Sequence, residues 1–254
     1  MTEAAKADIS TGHRYQPLLD RRKKMSNHCE FGFIFDMDGT LVDNMHVHTD
    51  AWRVLLEENG VEMDVDTFLV KTAGKTNREI IPDVFRDVSA ERITELAERK
   101  EGLYRDAFLP QRKPIEGVVN FLEASQGLGV SMAVATAAPN ANMEFILDGL
   151  DLRKYFQAIT TAADVSKGKP DPEIFLTSAE KLGVEAQNCL VFEDAVGGFE
   201  AAHRAGMRSI GIATVNSIEE ILRLDSVVEA HADFSGLKAQ ELIEKYVPFC
   251  TEAI

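Results

Sequence analysis

The sequence predicts an α/β fold, a doubly wound parallel sheet interrupted early by a helical insertion, and three observations carry that expectation. Short apolar runs recur at 31–35 (FGFIF), 131–135 (SMAVA), 189–192 (CLVF) and 208–213 (RSIGIA). Amphipathic helical periods lie between and after them. Residues 44–113 carry helical stretches and no convincing buried strand. Strands buried on both faces read as continuous apolar runs, and the helices between them cover the two faces of a parallel sheet.

In chain order, residues 1–30 are polar and mixed, with RRKK at 21–24 and no apolar run behind it. They read as a disordered N-terminal tail rather than a signal peptide. The strand at 31–35 leads straight into Asp36, Asp38, Gly39 and Thr40. HTDAWRVLLEENG and SAERITELAERKEGLYRDAF make the insertion helical, and RKPIEG returns the chain to the α/β body. The expected division is therefore a Rossmann-like core of residues 31–43 and 114–254 with a small helical cap, 44–113, inserted in it. Core helices are expected at 116–128, 140–150, 172–182, 195–205 and 237–246. In the second, Met143, Ile146, Leu147 and Leu150 share a face. In the fourth, Val196, Phe199 and Ala202 form a stripe that Gly206 stops.

The 254 residues suit one large domain or a domain with an insertion. With 42 acidic and 27 basic residues the net charge is −15, which disfavours nucleic acid and anionic membranes as partners. Cys29, Cys189 and Cys250 are odd in number and widely spaced, so they read as free thiols of a reducing, cytoplasmic compartment. No stretch approaches the length of a spanning helix. Oligomeric state is open, and the sequence is compatible with a monomer.

The chemistry sits where the strands end. Residues i and i+2 of an extended segment project to the same side, so Asp36 and Asp38 bring two carboxylates together at a strand tip. Such a pair repels unless a cation stands between its members or one holds a proton. An EF-hand loop does not explain it: the glycine of DMDG falls at the fourth position rather than the sixth, and the twelfth position is Val47. Thr136 lies at the next tip, ahead of a helix whose N-terminal amides suit an anion. The loop DVSKGKPDPEIF offers Lys167 and Lys169, and VFED places Glu193 and Asp194 before another helix. Taken singly, Thr136 is a helix cap, the lysines are solvated loop charges and Glu193–Asp194 charges a helix N-terminus. Converged at successive strand ends, they make an acidic metal site with a hydroxyl and an ammonium, a set suited to phosphoryl transfer.

These motifs, DMDGT (36–40), ATAAP with Thr136, KGKPDPEIF with Lys169 and VFEDAVGGFEAA with Glu193 and Asp194, resemble the haloacid dehalogenase superfamily. The branch they resemble holds beta-phosphoglucomutase and the sugar-phosphate phosphatases. The resemblance spans residues 31–213 and implies Asp36 as nucleophile and Asp38 as general acid and base. It implies Thr136 and Lys169 as phosphate-binding residues. It further implies Mg²⁺ held by the Asp36 carboxylate, the Asp38 carbonyl and Asp194, with Glu193 beside them. The residue matching Asp38 is absent from the dehalogenase branch, so the resemblance implies phosphoryl transfer.

Within that branch the chain resembles the mutase at His48 in HTDAW, at Lys100 in ELAERKEGLY and at Arg78 in GKTNRE, and it keeps Asn140. It departs where Ala138 replaces a hydroxyl residue and Pro139 replaces a lysine. Taken singly, Arg78 and Lys100 also read as charges on a solvated helix face. The expected activity is hydrolysis of small phosphorylated metabolites, sugar phosphates among them, through an aspartyl-phosphate. The alternative is a beta-phosphoglucomutase interconverting beta-glucose 1-phosphate and glucose 6-phosphate. A non-catalytic binding protein would have lost Asp36, Asp38 or Lys169, and none is lost.

Overall fold

The computed structural model describes residues 31–64 and 75–246. The tail read at 1–30, together with Cys29 and Cys250, lies outside the described residues. The strands are β1 (Gly32–Phe35), β2 (Ser131–Ala135), β3 (Ala158–Thr160), β4 (Cys189–Glu193), β5 (Arg208–Ile212) and β6 (Val227–His231). They form one sheet in the order β3-β2-β1-β4-β5-β6, and every neighbouring pair is parallel. The chain winds outward from β1 through β2 and β3, then returns to the other side of β1 for β4, β5 and β6. This is the Rossmann-like order, whose reversal at β1 opens a crevice at the carboxyl ends of the strands.

Central burial fixes β1: all four residues of GFIF are buried. Its Phe33 and Phe35 pack with Phe121, Phe192 and Phe234, and the rings of Phe35 and Phe192 stack 4.5 Å apart across the β1–β4 pair. Full burial of each such side chain contributes about 1.5–3 kcal/mol. Two strands go beyond the sequence reading. β3 has only three residues, too few for a periodic signal. β6 reads VVEAH and is half-exposed along its length at the sheet edge, so Glu229 and His231 interrupt its apolar run.

Among the described residues, the helices of the insertion are α1 (Met45–Glu58), α2 (Asn77–Phe85) and α3 (Ala90–Phe108). They share an apolar core of their own, made by Trp52, Leu55, Leu56, Ile80, Ile81, Val84 and Leu96. The core helices are α4 (Val118–Gly127), α5 (Asn140–Leu147), α6 (Glu173–Leu182), α7 (Val196–Arg204), the one-turn α8 (Ile218–Ile221) and α9 (Ala239–Tyr246). Phe199 and Ala202 of α7 are buried, and Gly206, at φ 74°, turns the chain after it. Val196 corrects the expected stripe: it is 51% exposed as the first residue of α7, whose buried residues begin at Gly198. No helix among the described residues is long and apolar enough to cross a membrane.

Candidate active site

Asp36 follows β1 and is held there by backbone: its N–H donates to Phe192 O of β4 at 2.9 Å. Its side chain is buried beneath the sheet's carboxyl edge. The next residues turn tightly. Leu41 N donates to Met37 O at 2.9 Å and Gly39 N to Val42 O at 2.8 Å. Gly39 has φ 84°, and a Cβ there would stand 2.1 Å from Asp194 Oδ2. Glycine is therefore needed twice, for the left-handed backbone and for the close carboxylate. The loop is tied down by Thr40, which donates to Asp194 Oδ1 at 3.2 Å, and by Thr214, which donates to Gly39 O at 2.6 Å.

Lys169 enters from the loop before α6 and is 2% exposed. Its Nζ donates to Asp36 Oδ1 at 2.5 Å and to Glu193 Oε2 at 2.7 Å, above the ring of Phe175. Glu193 ends β4, and its other oxygen accepts from the N–H groups of Asp194 and Ala195 at 3.2 and 3.1 Å. Gly198 leaves room for it, since a Cβ there would meet the Glu193 carboxylate at 2.1 Å. Glu193 thus orients both the lysine and the turn that carries Asp194.

Asp36, Glu193 and Asp194 place one carboxylate oxygen each within 4.8 Å of one another, all buried. Against these three negative charges stands the single ammonium of Lys169. Burial drives the Asp36 carboxyl well above the usual carboxylate range, with Glu193 adding to the effect and Lys169 opposing it. Burial likewise raises Asp194, reinforced by Glu193 and Asp36. The buried Asp194 Oδ2 has no hydrogen-bond partner. A divalent cation satisfies all three observations at once: it balances the two remaining charges, returns the carboxyls to their ionised form and takes the orphaned oxygen. The donor set fits such an ion.

Thr136 follows β2 and is 1% exposed; its N–H donates to Thr160 O and its hydroxyl oxygen accepts from Ala138 N at 3.1 Å. With that lone pair used, its O–H is free to donate into the cavity. The cavity, of about 120 Å³, is lined by Asp36, Asp38, Thr136, Lys169, Glu193 and Asp194 on the core side. His48, Trp52, Lys75, Asn77, Lys100 and Glu101 line it from the insertion. The Asp38 carboxylate accepts from Asn44 Nδ2 at 2.6 Å and lies 3.7 Å from His48 Nε2. His48 stacks on Tyr104, with ring centroids 3.8 Å apart. Its Nδ1 faces Lys100 Nζ at 2.7 Å, so the lysine donates to it and the proton of a neutral His48 falls on Nε2.

Of the residues singled out in the sequence around the cavity mouth, His48 and Lys100 are brought to the site, while Arg78, Asn140 and Lys167 are not. Arg78 is exposed on α2 and does not line the cavity, while its neighbours Lys75 and Asn77 do. Asn140 is exposed at the start of α5, where its side chain accepts from Thr161; Asn142, one half-turn on, lines the cavity. Lys167 is exposed near Asp171. The solvated-face reading fails for Lys100, which is 4% exposed. The signal was present: Leu96, Lys100, Tyr104 and Phe108 recur every four residues and are all buried, so the lysine stands on the buried stripe of α3. Asn44, Asn77 and Asn142 carried no such signal, because a polar residue near a helix start reads as a cap, and Glu101, in the body of α3, reads as a surface charge.

The family model described as haloacid dehalogenase-like hydrolase matches residues 33–212. Validoxylamine A 7'-phosphate phosphatase of Streptomyces hygroscopicus subsp. limoneus is 31% identical over 77% of this chain and 92% of its own length. Fructose-1-phosphate phosphatase YqaB of Escherichia coli is 34% identical, covering 71% of this chain and 95% of its own. Among solved structures, beta-phosphoglucomutase of Clostridium difficile superposes with a TM-score of 0.75 at 28% identity, covering 87% of this chain and 98% of its own.

Proposed function

The chain belongs to the haloacid dehalogenase-like hydrolases and is a phosphoryl-transfer enzyme of that kind; on that premise we propose that it is a magnesium-dependent, cytoplasmic phosphatase of small phosphorylated metabolites, sugar phosphates among them. The observation that carries the reading is Asp36, a buried carboxylate at the cavity floor with Lys169 at 2.5 Å and the orphaned Asp194 oxygen beside it.

In this reading Asp36 attacks the phosphorus of a bound monoester and becomes an aspartyl-phosphate. Lys169 and the Thr136 hydroxyl hold the phosphoryl oxygens, and Lys169 offsets part of the charge that repels an anion from the Asp36 carboxylate. Asp38 gives its proton to the departing oxygen, then takes one from the water that releases phosphate. Asn44 aims the Asp38 carboxylate through its 2.6 Å hydrogen bond. Mg²⁺ would be held by Asp36, Asp194 and the Asp38 backbone carbonyl, with Glu193 next to them; it supplies charge neutralisation at the phosphoryl group.

A second reading, a beta-phosphoglucomutase, is favoured by the His48–Lys100 pair beside Asp38 and by the likeness to the Clostridium structure. Ala138 and Pro139 weigh against it, leaving the α5 side without the hydroxyl and cation of the mutase pattern. One assay separates the two: purified protein with Mg²⁺, beta-glucose 1-phosphate and a trace of the bisphosphate, followed for free phosphate and for glucose 6-phosphate. Free phosphate from this or other sugar monophosphates supports the phosphatase. Glucose 6-phosphate with little free phosphate overturns it in favour of the mutase.

A further inference from the structure

The helical wall of the cavity carries a fixed negative charge as well as a positive one. Lys100 and Glu101 both line the cavity, at 4% and 5% exposure, and Lys100 Nζ donates to Glu101 Oε1 at 2.9 Å. The ammonium is further committed to His48 Nδ1 and stands 5.6 Å from the Trp52 ring centroid. Glu101 is pinned from two more helices. It accepts from Asn77 Nδ2 of α2 at 2.7 Å and from Asn142 Nδ2 of α5 at 2.6 Å. Three donors hold the carboxylate, so it cannot swing away from an incoming group. Lys75, the other lysine among the described residues of this wall, is half-exposed, and water screens it.

Such a wall treats two kinds of leaving group differently. A neutral polyol brings hydroxyls, which the remaining lone pair of Glu101 Oε2 and the amides of Asn77 and Asn142 can engage. A group with a second phosphate or a carboxylate brings an anion to a surface whose buried cation is already neutralised, beside a carboxylate that cannot withdraw. Discrimination by an unfavourable charge is a general route to specificity.

We propose that Glu101 is the specificity-determining residue that restricts this site to phosphate monoesters of neutral polyhydroxylated groups and rejects esters carrying a second anion. The inference rests on the phosphatase reading and names the substrate class of that same site.

The test compares kcat/KM for fructose 1-phosphate and fructose 1,6-bisphosphate, with p-nitrophenyl phosphate as a measure of the chemistry alone. Wild-type protein is expected to favour the monophosphate by about 30-fold or more. Glu101→Gln leaves Lys100 uncompensated and narrows that ratio by about tenfold or more. The double variant Lys100→Met, Glu101→Gln removes the unpaired ammonium as well as the carboxylate and is expected to keep the ratio narrowed by about threefold or more, since the repelling charge is gone; a ratio restored to wild type there overturns the assignment to Glu101. The bisphosphate hydrolysed as well as the monophosphate by wild-type protein overturns the proposal, whether or not the variants fold. So does an unchanged ratio in Glu101→Gln. Turnover of p-nitrophenyl phosphate with either result leaves the phosphatase reading in place. No turnover of any of the three esters overturns both.

Discussion

Asp194 Oδ2 lies 2.1 Å from where a Cβ on Gly39 would be, so the loop after β1 and the turn after β4 fit together only because residue 39 has no side chain. The same oxygen is the orphaned acceptor of the carboxylate cluster. Gly39→Ala therefore strains a backbone at φ 84° and displaces the oxygen offered to the metal. Titration calorimetry with Mg²⁺ is expected to show affinity weakened by about 100-fold or more, with phosphatase activity falling in parallel. Wild-type affinity in this variant would remove Asp194 from the metal site.

Binding of a divalent cation to the folded chain also stabilises it. At 100 times the dissociation constant the gain is about 2.7 kcal/mol, seen as a rise in Tm on adding Mg²⁺ that a chelator reverses. Asp194→Asn is expected to abolish that rise and the activity together. A Tm that Mg²⁺ leaves unmoved in wild-type protein argues against a resident divalent ion.

Glu101 connects the insertion to α5, and its ionisation is linked to stability. Burial works to raise its pKa, but the Lys100 ammonium and the hydrogen bonds from Asn77 and Lys100 outweigh it and hold the carboxyl at about 2, against 4.5 in the unfolded chain. A depressed folded pKa stabilises above the unfolded value. The contribution is therefore full above pH 4.5 and is lost as pH falls from there towards about 2. Its size is roughly 3 kcal/mol. Urea titrations of wild type and Glu101→Gln at pH 7 and pH 3 are expected to show a stability difference that shrinks at the lower pH. A difference that does not change with pH would show that Glu101 is not ionised in this pairing.

Glu79, at the start of α2, accepts from Gly168 N at 3.1 Å, next to the lysine that binds Asp36. A methyl on Gly168 would meet Glu79 Oε2 at 2.5 Å. That carboxyl is the end of a flexible side chain, so Gly168→Ala costs little stability but breaks the link between the insertion and the Lys169 loop. Both Gly168→Ala and Glu79→Ala are expected to lower kcat by about tenfold, and the double variant by no more than either alone. Additive losses would mean that the two residues act separately.

The core was legible because its strands are buried on both faces: FGFIF, SMAVA and CLVF advertise themselves, and three of their tips carry the acidic, hydroxyl and carboxylate groups in order. The ammonium was legible only through its motif, since the loop that carries Lys169 has no periodicity. β6 escaped because an edge strand half-exposed along its length has no apolar run to read. The cavity wall built by the insertion and α5 escaped for a different reason. Trp52, Asn77, Glu101 and Asn142 come together from four helices, and their contacts depend on how those helices pack rather than on spacing within any one of them. Arg78 shows the cost of reading a helix start from one charge: a single residue, about 100° around the helix, decides which side chain faces the cavity, and here it is Asn77.

The central claim is that Asp36 itself takes the phosphoryl group, and the stereochemical course at phosphorus tests it most directly. A chiral phosphorothioate ester of a sugar, hydrolysed in isotopically labelled water with Mg²⁺, gives a product whose configuration counts the displacements. Attack by Asp36 followed by attack of water is two in-line displacements, so retention of configuration is the expected result. Inversion would mean a single direct attack by water, and Asp36 would then be a metal ligand or base but no nucleophile.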